Sequence, residues 1–107
     1  VYLKTSNNKW MKAQCDGTAE EAGSGTRFGF ALHATLNGQP LIVQEGGTYT
    51  AGATITIGTV YCISDTAGGI CALAAVPSAS KITILGIGAT TTTIDMAQKS
   101  YTGYAQP

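Results

Sequence analysis

The stretch Thr59–Ala72, TVYCISDTAGGICA, limits the fold more than any other part of the chain. Two short apolar runs, Val60–Ile63 and Ile70–Leu73, flank Asp65-Thr66-Ala67-Gly68-Gly69. Asp hydrogen-bonds its own backbone two residues on, and Gly takes a positive φ without steric cost. Apolar arms around such a tip predict a hairpin with one of the longer loops. The tip carries no visible chemistry, so the hairpin reads as a structural unit. The rest of the chain repeats its style.

Val1–Ser6 places Tyr2, Lys4 and Ser6 on one face of a strand and Val1, Leu3 and Thr5 on the other. Asn7-Asn8 supplies the positive φ of a tight turn, and Lys9–Gln14 returns as the second strand. The sequence begins inside that strand with no initiator Met, as expected of a mature or trimmed piece or of the ordered part of a longer chain. Cys15–Thr26 is the most polar segment. Its Asp16-Gly17 is a turn signal, and Thr18 as a cap before Glu20 and Glu21 allows at most one short helix near residues 18–23, ended by Gly23, Ser24 and Gly25. Arg27–Ala34 is strand-like, with Phe28, Phe30 and Leu32 at period two. Asn37-Gly38-Gln39-Pro40 is a turn, Leu41–Glu45 a compact buried strand, and Thr48–Thr50 a short one. Ala51–Gly58 alternates too weakly to separate strand from loop.

Beyond the hairpin, Pro77 anchors a connector over Ala74–Ser80. Lys81–Ala89 is the longest apolar strand, in which Gly86 and Gly88 signal a bulge or a close backbone approach. Ile94–Met96 is the last strand. Strands at intervals of roughly 8–12 residues, joined by Gly, Asn and Pro turns, predict an all-β fold: a small antiparallel β-sandwich or barrel built of hairpins. The expected organisation is a single β domain over residues 1–96, with residues 1–14 as an N-terminal hairpin arm, and an extended C-terminal tail over residues 97–107.

Composition agrees with that class. Sixteen Thr, fifteen Ala and fourteen Gly dominate the 107 residues; β-branched Thr favours strands and Gly punctuates turns. Only 11% of residues are charged, and six Lys+Arg cancel six Asp+Glu. Such a balance offers no basic face to nucleic acid or to an anionic membrane. It also gives little self-repulsion, which suits a surface with close neighbours in an assembly. No apolar run approaches the ~20 residues of a spanning helix, and no basic start followed by an apolar run marks a secretory signal. Cys15, Cys62 and Cys71 are expected as reduced, half-buried thiols of a protein made in a cytoplasm. Cys62 and Cys71 face each other if the hairpin turn centres between Thr66 and Ala67; a disulfide there would close only a short loop and add little. The cysteine spacing does not suit zinc, and the lone His33 is far away in sequence.

No constellation calls for catalysis, a metal or a cofactor, and the chain is not expected to be an enzyme. His33 has no nearby Ser or Cys in sequence and reads as an exposed or cross-strand residue. Asp65 reads as a turn former, Asp95 as a strand-end residue, and Glu20-Glu21 as a solvated patch. Gly86-Ile87-Gly88 is followed by a Thr-rich strand rather than the helix N-terminus a phosphate loop needs. Trp10 and Met11 alternate to opposite faces of the first hairpin, either as core and edge or as anchors against a neighbouring subunit. Trp, Tyr and Met are enriched at interfaces. Tyr101 and Tyr104, on a tail without a core of its own, read in the same way. The candidate protein-interface residues are therefore Trp10, Met11, Tyr101 and Tyr104.

Three segments carry a resemblance: Phe28-Gly29-Phe30-Ala31-Leu32 through Gly38-Gln39-Pro40-Leu41-Ile42-Val43; Tyr61-Cys62-Ile63-Ser64 with Ala67-Gly68-Gly69-Ile70; and Ile82-Thr83-Ile84-Leu85-Gly86-Ile87-Gly88 with Ala89-Thr90-Thr91-Thr92. Together they span most of Phe28–Ile94, and their turn and strand pattern resembles the small β-domains of tailed-bacteriophage structural proteins, namely capsid decoration (cement) proteins and head- or tail-fibre modules. The resemblance implies a non-enzymatic virion protein assembled in the bacterial host cytoplasm. The expected role is a decoration protein on the capsid surface, reinforcing a major-capsid lattice non-covalently. Its partners would be the major capsid protein and copies of itself, as a dimer or trimer, with no nucleic acid and no membrane. The alternative role is a fibre or tail module that binds a host receptor.

Overall fold

In the computed structural model, which describes residues 1–105 and side chains through Met96, the stretch Thr59–Ala72 folds as a hairpin. Its arms pair in the register Tyr61↔Ala72, Cys62↔Cys71, Ile63↔Ile70, so the turn centres between Thr66 and Ala67 as the disposition of the cysteines required. Gly68 takes φ +78° at the tip, and the Gly69 N–H donates to the Thr66 carbonyl at 2.9 Å. The side chain that organises the turn is Ser64 rather than Asp65: Ser64 Oγ accepts the Thr66 N–H at 3.1 Å and donates to Asp65 at 3.2 Å.

The other strands arrange themselves around this hairpin. β1 (Tyr2–Lys4) and β2 (Lys9–Met11) form one two-stranded ladder, and β3 (Phe30–Ala31) and β4 (Val43–Gln44) form another. β5 (Gly47–Thr50), β6 (Val60–Ile63), β7 (Ile70–Ala72), β8 (Lys81–Gly88) and β9 (Thr93–Ala105) build a sheet in the order β5-β9-β8-β6-β7. Every pairing is antiparallel. β5 and β7 remain edges, so the sheet does not close into a barrel.

Pairing fixes which sheet face is covered. Tyr49 lies opposite Ile94, and Ile94 opposite Gly88, on one face; Thr48, Asp95 and Ile87 share the other. Ile94, Ile63 and Leu85 are buried, whereas Thr48, Asp95 and Ile87 are exposed. The two small ladders, joined by a bridge between Tyr2 and Phe28, supply the second layer over the buried face. Phe30 stacks on Tyr49 with centroids 3.8 Å apart and planes 5° from parallel, a contact worth about 1 kcal/mol beyond the area it buries. Tyr2, Phe28 and Phe30 join Cys62, Ile63, Leu85 and Ile94 in one core.

Several local expectations are refined or change. Residues 18–23 stay within the expected limit of one short helix and make a single turn. Thr18 caps it by accepting the Glu21 N–H, and it ends in a Schellman pair, Ser24 N–H to Ala19 O and Gly23 N–H to Glu20 O, with Gly23 at φ +85°. A 3₁₀ turn at Leu73–Ala75 follows β7. Leu41–Glu45 is not a buried strand: only Val43 and Gln44 pair, and Ile42 is 63% exposed. Ala51–Gly58 is loop. The backbone expected as an extended tail continues β9 to Ala105, pairing Ser100 with Thr83 and Ala105 with Lys81. Inter-strand hydrogen bonding explains the change, since β8 is eight residues long and offers a partner ladder along its whole length.

The two glycines of β8 serve the close approach that their position suggested. The ladder shifts register between Ile84 and Gly86. A Cβ on Gly86 would lie 2.4 Å from the Asp95 carbonyl oxygen, and one on Gly88 2.1 Å from that of Thr56. Gly88→Ala is therefore expected to lower stability by about 1–3 kcal/mol, read as a lower urea midpoint at unchanged slope. An unchanged midpoint would mean that the Thr56 backbone is free to retreat.

Candidate functional site

Trp10 and Met11 lie on one flank of the molecule, where the β1–β2 ladder meets the loop after β3. The Asn8 backbone, at φ +54°, turns the chain so that Lys9 returns opposite Lys4 and Trp10 opposite Leu3. Tyr2, not Trp10, enters the core from this ladder; Trp10 stays half-buried under Arg27, whose guanidinium carbon sits 5.6 Å from its ring centroid. Arg27 is held by Glu45, Nε donating to Oε1 at 3.0 Å and Nη2 to Oε2. That pairing holds the Glu45 carboxyl below its ordinary range. Met11 is 40% exposed.

Across from the ladder, residues 32–42 run over the surface. Leu32, Leu36 and Ile42 are all exposed there. Between the two elements lies an open cleft of about 390 Å³, lined by Trp10, Met11, Leu36, Asn37, Gln39 and Pro40 among others. His33 sets the loop's shape. Its Nε2 accepts the Ile42 N–H at 3.1 Å, which leaves the proton on Nδ1 to donate to the Ala34 carbonyl at 3.0 Å. Both ring nitrogens are thus used by backbone. Sequence reasoning named Trp10 and Met11 but missed Leu36, Ile42 and the His33 clasp. A strand reading of Arg27–Ala34 and Leu41–Glu45 had no loop for His33 to close.

The remaining candidates are not brought together. Asp65 lies at the β6–β7 tip, and Asp95 near the start of β9 opposite Ile87. Glu20 is no loose patch: its carboxylate accepts the Thr5 N–H at 3.2 Å and the Thr5 hydroxyl at 2.5 Å, tying the first hairpin's turn to the polar segment. Gly86-Ile87-Gly88 lies inside β8. The side chains of Tyr101 and Tyr104 lie outside the described residues. Among the described residues, no three His, Cys, Asp or Glu side chains are placed to hold a metal ion.

The three thiols are a second cluster. Cys15 and Cys62 are fully buried and Cys71 is half-buried; none is in a disulfide. Burial, then the nearby Cys71 and Cys15, pushes the Cys62 thiol up to about 12. Burial also raises Cys15 and Cys71, against the hydrogen bonds of Ser80 and Ser64 respectively. Comparison with known proteins returns no matching family, no matching curated protein and no matching solved structure.

Two outcomes follow. His33→Ala removes the acceptor for the Ile42 amide, so hydrogen exchange at Ile42 should accelerate about tenfold while the core amides keep their protection. Equal protection in both proteins would show that the clasp does not hold the loop. A thiol raised in the folded state favours folding only while it stays protonated. Its contribution is full below the unfolded value near 9 and disappears as pH rises toward about 12. Stability should therefore decline over that range, with a shallower decline for Cys62→Ala, read as the urea midpoint against pH.

Proposed function

We propose that this chain is a capsid decoration protein, a structural module that binds a major-capsid lattice from outside and bridges neighbouring subunits non-covalently. The observation that carries the reading is the placement of the exposed apolar side chains. Met11 and Leu36 line the open cleft, Leu32 and Ile42 are exposed beside each other in the same surface loop, and Ile87 is exposed on the sheet, with Ile57 in the loop that Gly58 ties to the end of β8. A bridge needs two contact surfaces, and these patches lie on separate elements of the fold. Charge is scarce in the sequence, and the Arg27–Glu45 pair beside Trp10 adds no net charge to the flank. Copies of the same chain are the expected second partner. The resemblance of the turn and strand pattern to tailed-bacteriophage structural proteins points the same way.

The fibre or tail module is the second reading. The open cleft at Trp10 favours it, because a concave site with one aromatic ring suits a receptor better than a flat lattice does. Copy number per particle separates the two readings: comparable to the major capsid protein for decoration, far lower for a fibre.

Particles stripped of the protein should lose heat resistance and regain it on re-addition. Leu36→Asp and Ile87→Asp should each weaken rebinding about tenfold or more. Stripped particles as heat-resistant as complete ones would overturn the reinforcement role.

A further inference from the structure

We propose that Cys62 and Cys71 close a reversible cross-strand disulfide that staples β7 to β6. The two residues are directly opposite in the ladder. The bond from the Ser64 N–H to the Gly69 carbonyl, 3.2 Å, sets the phase of that ladder, which makes Cys62 and Cys71, two positions on, a hydrogen-bonded pair. Cα atoms in such a pair lie about 5.5 Å apart, within the span that a disulfide bridges. The two side chains also leave the same face of the sheet. β7 is a three-residue edge strand bonded on one side only, so it can shift to bring the sulfurs together. Cys15 is the competing thiol, and its backbone is fixed at both ends: its N–H donates to the Ser64 carbonyl at 2.9 Å and its carbonyl accepts the Lys81 N–H at 3.0 Å.

The exposures of the two cysteines assign their roles. Half-buried Cys71 is the thiol an oxidant can reach, and fully buried Cys62 is the one that resolves. With glutathione disulfide as the oxidant, the Cys71 thiolate attacks one sulfur, the glutathione S–S bond breaks, and one glutathione leaves as thiolate. The Cys62 thiolate then attacks the Cys71 sulfur and expels the second glutathione. Two protein thiols are oxidised, one glutathione disulfide is reduced to two thiols, and the two protein protons end on those thiols. The bond needs no assumption about function. On the virion reading it has a consequence: a chain assembled in a reducing cytoplasm acquires the staple after release.

The test uses the intact protein, incubated with glutathione disulfide, acidified, then alkylated in denaturant and digested with trypsin. No Lys or Arg separates Cys62 from Cys71, whereas Cys15 falls in a different tryptic peptide. The expected product is peptide 28–81 two hydrogens lighter and unalkylated, beside a fully alkylated Cys15 peptide. Even a loop this short carries closure entropy, so, against the small gain expected from the sequence, the oxidised protein should melt about 5 °C or more above the reduced one. Cys15→Ser should keep this gain and Cys71→Ser abolish it. Cross-linking of the Cys15 peptide to peptide 28–81, alkylation of all three cysteines, or a bond without a gain in melting temperature would overturn the proposal.

Discussion

Three backbone groups of residues 13–15 hold the two layers together. The Ala13 carbonyl accepts the Gly68 N–H at 2.9 Å, the Cys15 N–H donates to the Ser64 carbonyl at 2.9 Å, and the Cys15 carbonyl accepts the Lys81 N–H at 3.0 Å. Ala13 and Cys15 are buried. The chain leaving β2 is thereby stitched between the turn of the β6–β7 hairpin and the start of β8. Buried peptide groups left unpaired cost about 1–3 kcal/mol each, so these bonds dictate a path as much as they add stability. Once residues 13–15 are fixed there, the first ladder must lie over the sheet. The polar segment that follows must fold back, and it does so through the Thr83 hydroxyl, which donates to the Ala22 carbonyl from a fully buried position.

This dependence explains what the sequence could and could not reveal. The β6–β7 register was legible because it rests on local chemistry: apolar arms of fixed length and a Gly at the positive-φ position. The turn at Asn7-Asn8, the cap at Thr18 and the crowding at Gly86 and Gly88 were legible for the same reason. The second layer was not. Phe28 and Phe30 show period two, yet their strand has only two ladder residues, because aromatic burial against Tyr49 and Leu85 holds them rather than pairing. Ile42 reads as core by hydropathy, but the His33 clasp at its backbone directs the side chain outward. β9 was underestimated because Ala97–Ala105 shows no periodicity of its own, and its strand character comes from β8.

The candidate site follows the same division. Trp10 drew notice in the sequence because Trp is enriched at interfaces, with a core position as the other reading. Its setting, between Arg27 and a cleft whose far wall lies 25 or more residues along the chain, is a tertiary fact. The hairpin ladder decides the matter in favour of Tyr2, because only one face of β1–β2 meets the sheet and Tyr2 occupies it.

Sheet edges narrow how such a molecule can engage neighbours. The terminal strands of the five-stranded sheet are β5, four residues, and β7, three residues, and β5 covers β9 only from Thr93 to Met96. Ladders that short offer few backbone bonds to another chain, and short edges are a usual protection against unwanted pairing. Edge-strand addition at β5 or β7 would therefore contribute little to an assembly of this domain. Side-chain burial at the Met11–Leu36–Ile42 flank and around Ile87 has to supply most of the association free energy. A β7 edge stapled to β6 through Cys62 and Cys71 would be less able to shift toward a foreign strand, which adds to the protection its short length already gives.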